Sequence, residues 1–171
     1  MSSFDLKRQE VAAFMFTYIH HVGIACRDLD AKIDFYRDTF GLVLVGQESS
    51  LKEGVREAML QVGDNDQLAA SPLGREATPS YVQLLEPLGP DSPVGKFLAK
   101  RGEGIHHIGY AVADITEAMK EINVAGIQLI DKLPRHGSMG SSIAFLHPRD
   151  VGGVLTELVQ VVGLAHADGM R

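Results

Sequence analysis

Apolar and polar positions along the chain alternate between two periods. Residues 18–25 read as a short extended run, after which Ile33, Tyr36 and Phe40 recur at helical spacing, with Asp28 or Asp30 able to cap the start and Gly41 able to end it. Strand-like runs follow at 42–45, 55–62 and 81–85. The same order then returns: an extended run at 105–112, a helical stripe of Ile115, Met119 and Ile122 closed by Gly126, and strand-like runs at 127–133, 141–147 and 154–162. Ile-His-His-Val-Gly-Ile-Ala-Cys at 19–26 and Ile-His-His-Ile-Gly-Tyr-Ala-Val at 105–112 lie 86 residues apart, which marks an internal repeat. The pattern predicts an α+β fold of two tandem β-α-β-β-β modules, 18–86 and 105–162, within one domain spanning 18–162. Between them, Ser92 before Pro93 starts a linker helix within 87–104, with Val94, Phe97 and Leu98 on its apolar face. Three pieces fall outside the repeat: an N-terminal extension at 1–17, a turn-rich insertion at 63–80 and a tail at 163–171.

Strand alternation then selects side chains. Alternate residues share a face, so His21 lies with Gly23 and Ala25, and His107 with Gly109 and Ala111. The small neighbours leave room for a bound group. His20 and His106 fall on the bulkier opposite face and read as structural or supporting. The last strand of each module places one polar side chain among apolar neighbours, Gln83 in the first and Glu157 in the second. Singly, Gln83 reads as a solvent-facing strand residue and Glu157 as half of an ion pair. With two repeated histidines, the four become a donor set, because a buried carboxylate is costly unless paired or coordinated. Two imidazoles, an amide oxygen and a carboxylate suit a divalent cation such as Co, Mn, Mg, Ni or Zn, with positions left for substrate.

Composition narrows the classes. At 171 residues the chain is the size of one domain, and 45% hydrophobic residues suffice for a core. Its 16 basic against 22 acidic residues, with no basic stripe, exclude nucleic acid as the expected partner. The longest apolar run, 11–19 with Thr17 inside it, is shorter than the roughly 18 residues of a membrane span. A lone Cys26 rules out an internal disulfide and a multi-thiolate zinc site, and fits a reducing cytoplasm. Lys7-Arg8 followed by apolar residues and Gly-Ile-Ala-Cys at 23–26 loosely imitates a lipoprotein signal, but His20-His21 interrupts its apolar region. Asp5 and Glu10 suit a transit peptide poorly.

Seven strings carry a resemblance: His-Val-Gly-Ile-Ala at 21–25, Gly-Val-Arg-Glu-Ala at 54–58, Gln-Leu-Leu-Glu-Pro-Leu at 83–88, Gly-Glu-Gly-Ile-His-His-Ile at 102–108, Gly-Ser-Met-Gly-Ser at 137–141, Phe-Leu-His-Pro-Arg at 145–149 and Gly-Gly-Val-Leu-Thr-Glu-Leu at 152–158. Over 18–162 the chain resembles the methylmalonyl-CoA epimerase family of the vicinal-oxygen-chelate superfamily, alongside glyoxalase I, extradiol dioxygenases and fosfomycin- and bleomycin-resistance proteins. The resemblance implies a curved mixed sheet around a metal-containing cleft, with His21, Gln83, His107 and Glu157 as metal ligands and Glu57 and Glu157 as acid/base carboxylates. It also implies cobalt ahead of Mn, Mg, Ni or Zn, an acyl-CoA substrate and a homodimer. The implied reaction interconverts (2R)- and (2S)-methylmalonyl-CoA by proton removal and return at C2 through a metal-stabilised enolate.

Glu57 read by itself is a surface glutamate, so its role rests on the resemblance alone. Coordination lowers a carboxylate's basicity, which makes Glu57 the dedicated base and Glu157 a ligand that also transfers a proton. The loop around Gly137, Ser138, Gly140 and Ser141 either lines the thioester pocket with backbone amides or simply connects strands. Lys96, Lys100, Arg101, Arg135 and Arg149 either meet CoA phosphates or are solvated surface charges. The competing activities are lactoylglutathione lyase, an extradiol dioxygenase whose two histidines and one carboxylate leave Gln83 without a use, and a non-catalytic drug-binding resistance protein.

Overall fold

Local capping decides where each helix begins and ends. In the computed structural model, which describes residues 15–63 and 78–162, strand β1 (Tyr18–Ala25) leads into helix α1 (Leu29–Phe40). Asp28 rather than Asp30 is its cap, accepting the Ala31 N–H at 2.9 Å, and Gly41 ends it in the left-handed conformation at φ 71°. Asp30 is instead held by Arg56 at 2.9 Å. Helix α2 (Pro93–Arg101) starts with the Ser92 hydroxyl accepting from Gly95 and with Pro93 in its first turn. Helix α3 (Ile115–Val124) is capped by Asp114, which accepts from both Thr116 and Glu117.

The remaining strands are β2 (Val43–Ser50), β3 (Val55–Gln61), β4 (Tyr81–Pro87), β5 (Gly104–Ala111), β6 (Arg135–His136), β7 (Ser142–Leu146) and β8 (Leu155–Gln160). They form one curled mixed sheet in the order β2-β3-β4-β1-β5-β8-β7-β6. The first strand of each repeat pairs in parallel with the last of its own half, β1 with β4 and β5 with β8. The two halves join through the antiparallel pair β1–β5.

The run at 127–133 is not a strand, contrary to the sequence expectation. Leu129 makes one isolated bridge to Leu146, and beyond it the Asp131 carboxylate accepts the Phe145 N–H at 2.8 Å, taking the place of a backbone carbonyl. Pro134 has no N–H to continue a ladder, so the second module keeps only the two-residue β6 in that position. The expected extension at 1–17, insertion at 63–80 and tail at 163–171 lie mostly or wholly outside the described residues.

Three clusters hold the layers together. On the outer face of the first half, Leu29 and Ile33 of α1 pack on Ala58, Leu60 and Leu84. The second half repeats this with Ile115, Ala118, Met119 and Ile122 of α3 against Ala144, Leu146 and Leu158. Leu29, Leu60, Leu84 and Leu158 are fully buried, each side chain contributing about 1.5–3 kcal/mol of apolar transfer. Val94 and Leu98 of α2 close the third cluster over Ala25, Val55 and Leu85, on the other face of the sheet, and Val94, Val55 and Leu85 also line the cleft described below. No helix among the described residues is long and apolar enough to cross a membrane.

Candidate metal and catalytic site

Register places the chemistry. Two alternate rungs, with Val82, Val22, Ile108 and Thr156 between them, cross the middle of the sheet. One runs Met59, Gln83, Gly23, His107, Leu155, and the other Tyr81, His21, Gly109, Glu157, Phe145. Each histidine therefore stands beside a glycine of the other module, and each glycine stands beside the polar residue of its own module's last strand. The space next to each histidine is not left for a ligand, as strand alternation alone suggested; the opposite imidazole fills it. A Cβ on Gly23 would lie 2.3 Å from His107 Cε1, and one on Gly109 would lie 2.3 Å from His21 Cε1.

The resulting cluster is buried, with His21 and His107 each 3% exposed, Glu157 4% and Gln83 6%. His21 Nε2 lies 2.9 Å from His107 Nε2 and 2.9 Å from Glu157 Oε2, and His107 Nε2 lies 3.6 Å from the same carboxylate oxygen. His21, His107 and Glu157 thus converge their donor atoms as a possible metal-binding triad. Burial, reinforced by the neighbouring His21 and His106, drives the His107 pKa well below its usual range and keeps that imidazole neutral, the form that donates to a metal. A divalent ion fits this donor set. Gln83 Oε1 is buried without a hydrogen-bond partner, and the Glu157 Oε2 carboxylate oxygen is buried against the two imidazole Nε2 atoms, a set that in a folded interior calls for a compensating ligand.

His20 and His106 depart from the expected opposite face. Ile19 pairs with Tyr110 and His21 with Gly109, so His20 is an extra residue; Ile24 pairs with Ile105 and Gly23 with His107, so His106 is another. Each is a β-bulge, which re-aims the extra side chain. As a result His20 Nδ1 reaches His21 Nδ1 at 2.9 Å, and His106 Nδ1 reaches His107 Nδ1 at 3.0 Å. Both bulge histidines support the far nitrogen of the neighbouring imidazole, leaving Nε2 turned to the cluster. Burial, then His21, lowers the His20 pKa to about 4, so it meets its neighbour uncharged.

Glu57 sits on β3 one diagonal step from Gln83. Gln83 Nε2 donates to Glu57 Oε2 at 2.9 Å and to Ser138 Oγ at 2.9 Å, and the Ser138 hydroxyl donates to Glu57 Oε1. Burial pushes the Glu57 pKa up to about 7; the Ser138 hydrogen bond opposes this, while the Glu48 and Glu157 carboxylates add to it. Glu57 is not the surface residue its local sequence suggests.

The loop carrying Ser138 is a one-turn 3-10 segment from Ser138 to Gly140, with Met139 at φ 56° and Gly140 at φ 75°. A non-glycine in that region is uncommon and strained. Glu48, opposite Glu57 on β2, accepts the Met139 N–H at 3.3 Å, and the Ser141 hydroxyl donates to the Ser138 carbonyl at 2.9 Å. Gly137 has no room for a side chain, since a Cβ would meet Ile143 at 2.4 Å.

Glu57, Gln83, His107, Ser138 and Glu157 line one cleft of about 390 Å³. Arg135 lines it too, paired with Glu53 at 2.6 Å and Asp131 at 2.9 Å and lying 5.3 Å over the Phe145 ring. It is therefore not a freely solvated charge. Lys96, Lys100, Arg101 and Arg149 are exposed and do not line the cleft. The functions of Ser138, Glu48 and Glu53 toward Glu57 and Arg135 were not readable from sequence, except that Asp131 and Arg135 stand at ion-pair spacing.

Paired modules around a buried imidazole and carboxylate cluster define a class of protein, and the family model described as the Glyoxalase/Bleomycin resistance protein/Dioxygenase superfamily matches residues 20–145. The ethylmalonyl-CoA/methylmalonyl-CoA epimerase of Cereibacter sphaeroides is 34% identical over 145 residues, 84% of this chain and 97% of that protein. A variant of the Streptomyces coelicolor methylmalonyl-CoA epimerase in complex with 2-nitronate-propionyl-CoA is 47% identical, with a TM-score of 0.77 and coverage of 86% of this chain and 99% of that one. The Mycobacterium tuberculosis methylmalonyl-CoA epimerase is 38% identical, with a TM-score of 0.75 over 90% and 94%. The chain belongs to this superfamily and, within it, to the methylmalonyl-CoA epimerase family, and is thus an enzyme of the epimerase type.

Proposed function

We propose that this enzyme interconverts (2R)- and (2S)-methylmalonyl-CoA, one carboxylate accepting the C2 proton on one face and a second delivering a proton to the other. The observation that carries the reading is the pair Glu57 and Glu157: both line one cleft, yet they sit on β3 and β8, with three strands between them in a curled sheet. That separation lets two groups approach one carbon from different sides, as an inversion requires. Kinship to methylmalonyl-CoA epimerases, 47% identity in one case, supports this choice of substrate.

His21, Gln83, His107 and Glu157 would hold a divalent ion, cobalt first among the candidates. Bound there, the ion supplies Lewis acidity toward the acyl oxygens, which makes the C2 hydrogen more acidic. Glu57 takes the proton in the direction it serves. A base works best when its pKa lies near the working pH, and burial sets Glu57 at about 7. Ser138 and Gln83 hold both Glu57 oxygens, so its carboxylate plane is fixed before substrate arrives. Glu157, protonated when Glu57 is not, delivers its own proton to the other face of C2, leaving Glu57 protonated and Glu157 ionised, and it shares its carboxylate with the donor cluster. The Gly137–Ser141 loop borders the acyl group, and Lys52 and Arg135 are lining cations for the substrate's negative charges, Arg135 being already paired with Glu53 and Asp131.

In this reading residues 18–162 act as one domain of two modules joined by the linker helix, and the enzyme works in the cytoplasm as a homodimer. The test is exchange of the C2 hydrogen of methylmalonyl-CoA in deuterated solvent. Cobalt-loaded protein should exchange it and lose the exchange with chelator, and no exchange by the loaded protein overturns the assignment.

A further inference from the structure

We propose that Gly23 and Gly109 are positioning residues for the metal cluster, each serving as the seat on which the imidazole from the other module rests. The inference builds on the metal reading of His21 and His107 given above and adds two residues to it.

Neither glycine is needed for its backbone. Gly23 and Gly109 lie inside β1 and β5 with no positive φ, where glycine weakens a strand and alanine would be the better residue. What they lack is room. A Cβ on Gly23 would stand 2.3, 2.5 and 2.7 Å from His107 Cε1, Nδ1 and Nε2, and one on Gly109 would stand 2.3, 2.6 and 2.8 Å from the same atoms of His21. All six distances are under the 3.0 Å that real Cβ atoms respect. The rings cannot retreat cheaply. His107 packs edge-on against His21 at 5.0 Å and Phe145 at 5.4 Å, with His106 on its Nδ1, while His21 is held by His20. The other small residues on this face, Ala25 and Ala111, keep their Cβ atoms and are buried. The exclusion of a side chain is thus specific to the two rung positions that face an imidazole. Because each seat belongs to the opposite module, the cluster takes shape only when β1 and β5 pair in this register.

The test compares full-length Gly23→Ala and Gly109→Ala with Gly46→Ala, a strand glycine whose added Cβ would meet only Met139 Cγ at an ordinary 3.8 Å. Chelated protein is titrated with cobalt by calorimetry and visible absorption, and the imidazole resonances are recorded without metal. Gly23→Ala should displace the His107 resonances, Gly109→Ala those of His21, and both should weaken cobalt about 10–100-fold, the range for losing support around a ligand, with Gly46→Ala unchanged. If Gly23→Ala folds poorly, adding His107→Ala should restore its melting temperature while leaving Gly109→Ala unrescued. Undisturbed resonances with wild-type cobalt affinity, or no partner-specific rescue, overturn the seats. Displaced rings in a protein whose wild type binds no cobalt overturn the metal reading and with it the metal-positioning role, leaving only a packing contact.

Discussion

Gln83 Nε2 donates to Glu57 Oε2 across 2.9 Å, so the amide of the donor cluster and the half-buried carboxylate are locked to one another. The amide's other atom, Oε1, is buried with no partner. One side chain thus orients Glu57, the proposed base, with its nitrogen and leaves its oxygen free for the proposed cation, which would couple the two parts of the site. Gln83→Ala should weaken cobalt binding about 10-fold and lower the exchange rate further than the metal loss explains, since Glu57 loses its guide. Measuring the rate at saturating cobalt separates the two effects.

Replacing Glu57 by Gln keeps the shape and the Gln83 contact while removing the proton acceptor. The C2 exchange rate should fall about 10²–10⁴-fold, with substrate and cobalt affinity within a few-fold of wild type. Wild-type exchange in this variant would remove Glu57 from the chemistry.

Ser138 controls when Glu57 is ionised. Its hydroxyl opposes the upward push of burial, and the balance of the two leaves the carboxyl at about 7. The rate should climb with pH through about 7 as Glu57 becomes a base, and Ser138→Ala should move that rise to higher pH because the ionised form loses a donor. A pH profile of exchange for both proteins checks the direction.

How far the sequence carried this site depends on the range of each interaction. His21, Gln83, His107 and Glu157 stood out because strand alternation and an internal repeat are visible in one dimension. The bulges at His20 and His106 did not, since an extra residue is defined only against the partner strand, dozens of positions away. Ser138 reaching Glu57 has the same origin: 81 residues separate them, and the contact exists because the β6–β7 loop crosses onto the first module. Asp131 gives the converse case, a local apolar run that read as a strand until a side chain took over its hydrogen bond to Phe145.

The raised Glu57 pKa also makes folding depend on pH. The folded protein holds this proton more tightly than the unfolded chain, whose carboxyl titrates near the ordinary value of 4.5. The contribution is fully present below that value and is lost as pH rises through about 7, a change of up to about 3 kcal/mol at 1.36 kcal/mol per unit. Urea unfolding in the presence of chelator should therefore show a component of stability that declines between about pH 4.5 and 7, and Glu57→Gln should flatten it.

A cation on the donor cluster should act in the opposite sense at neutral pH. His21, His107 and Glu157 bring their donor atoms together only in the folded sheet, so an ion bound there favours the native state by mass action. At a free cobalt concentration 100 times Kd the gain is about 2.7 kcal/mol, enough to raise the melting temperature by several degrees for a domain of this size. His107→Ala removes one donor and also empties the seat over Gly23. The variant should melt at the same temperature with and without cobalt, whereas wild type should melt higher when loaded. Equal cobalt-induced shifts in the two proteins would place the ion elsewhere.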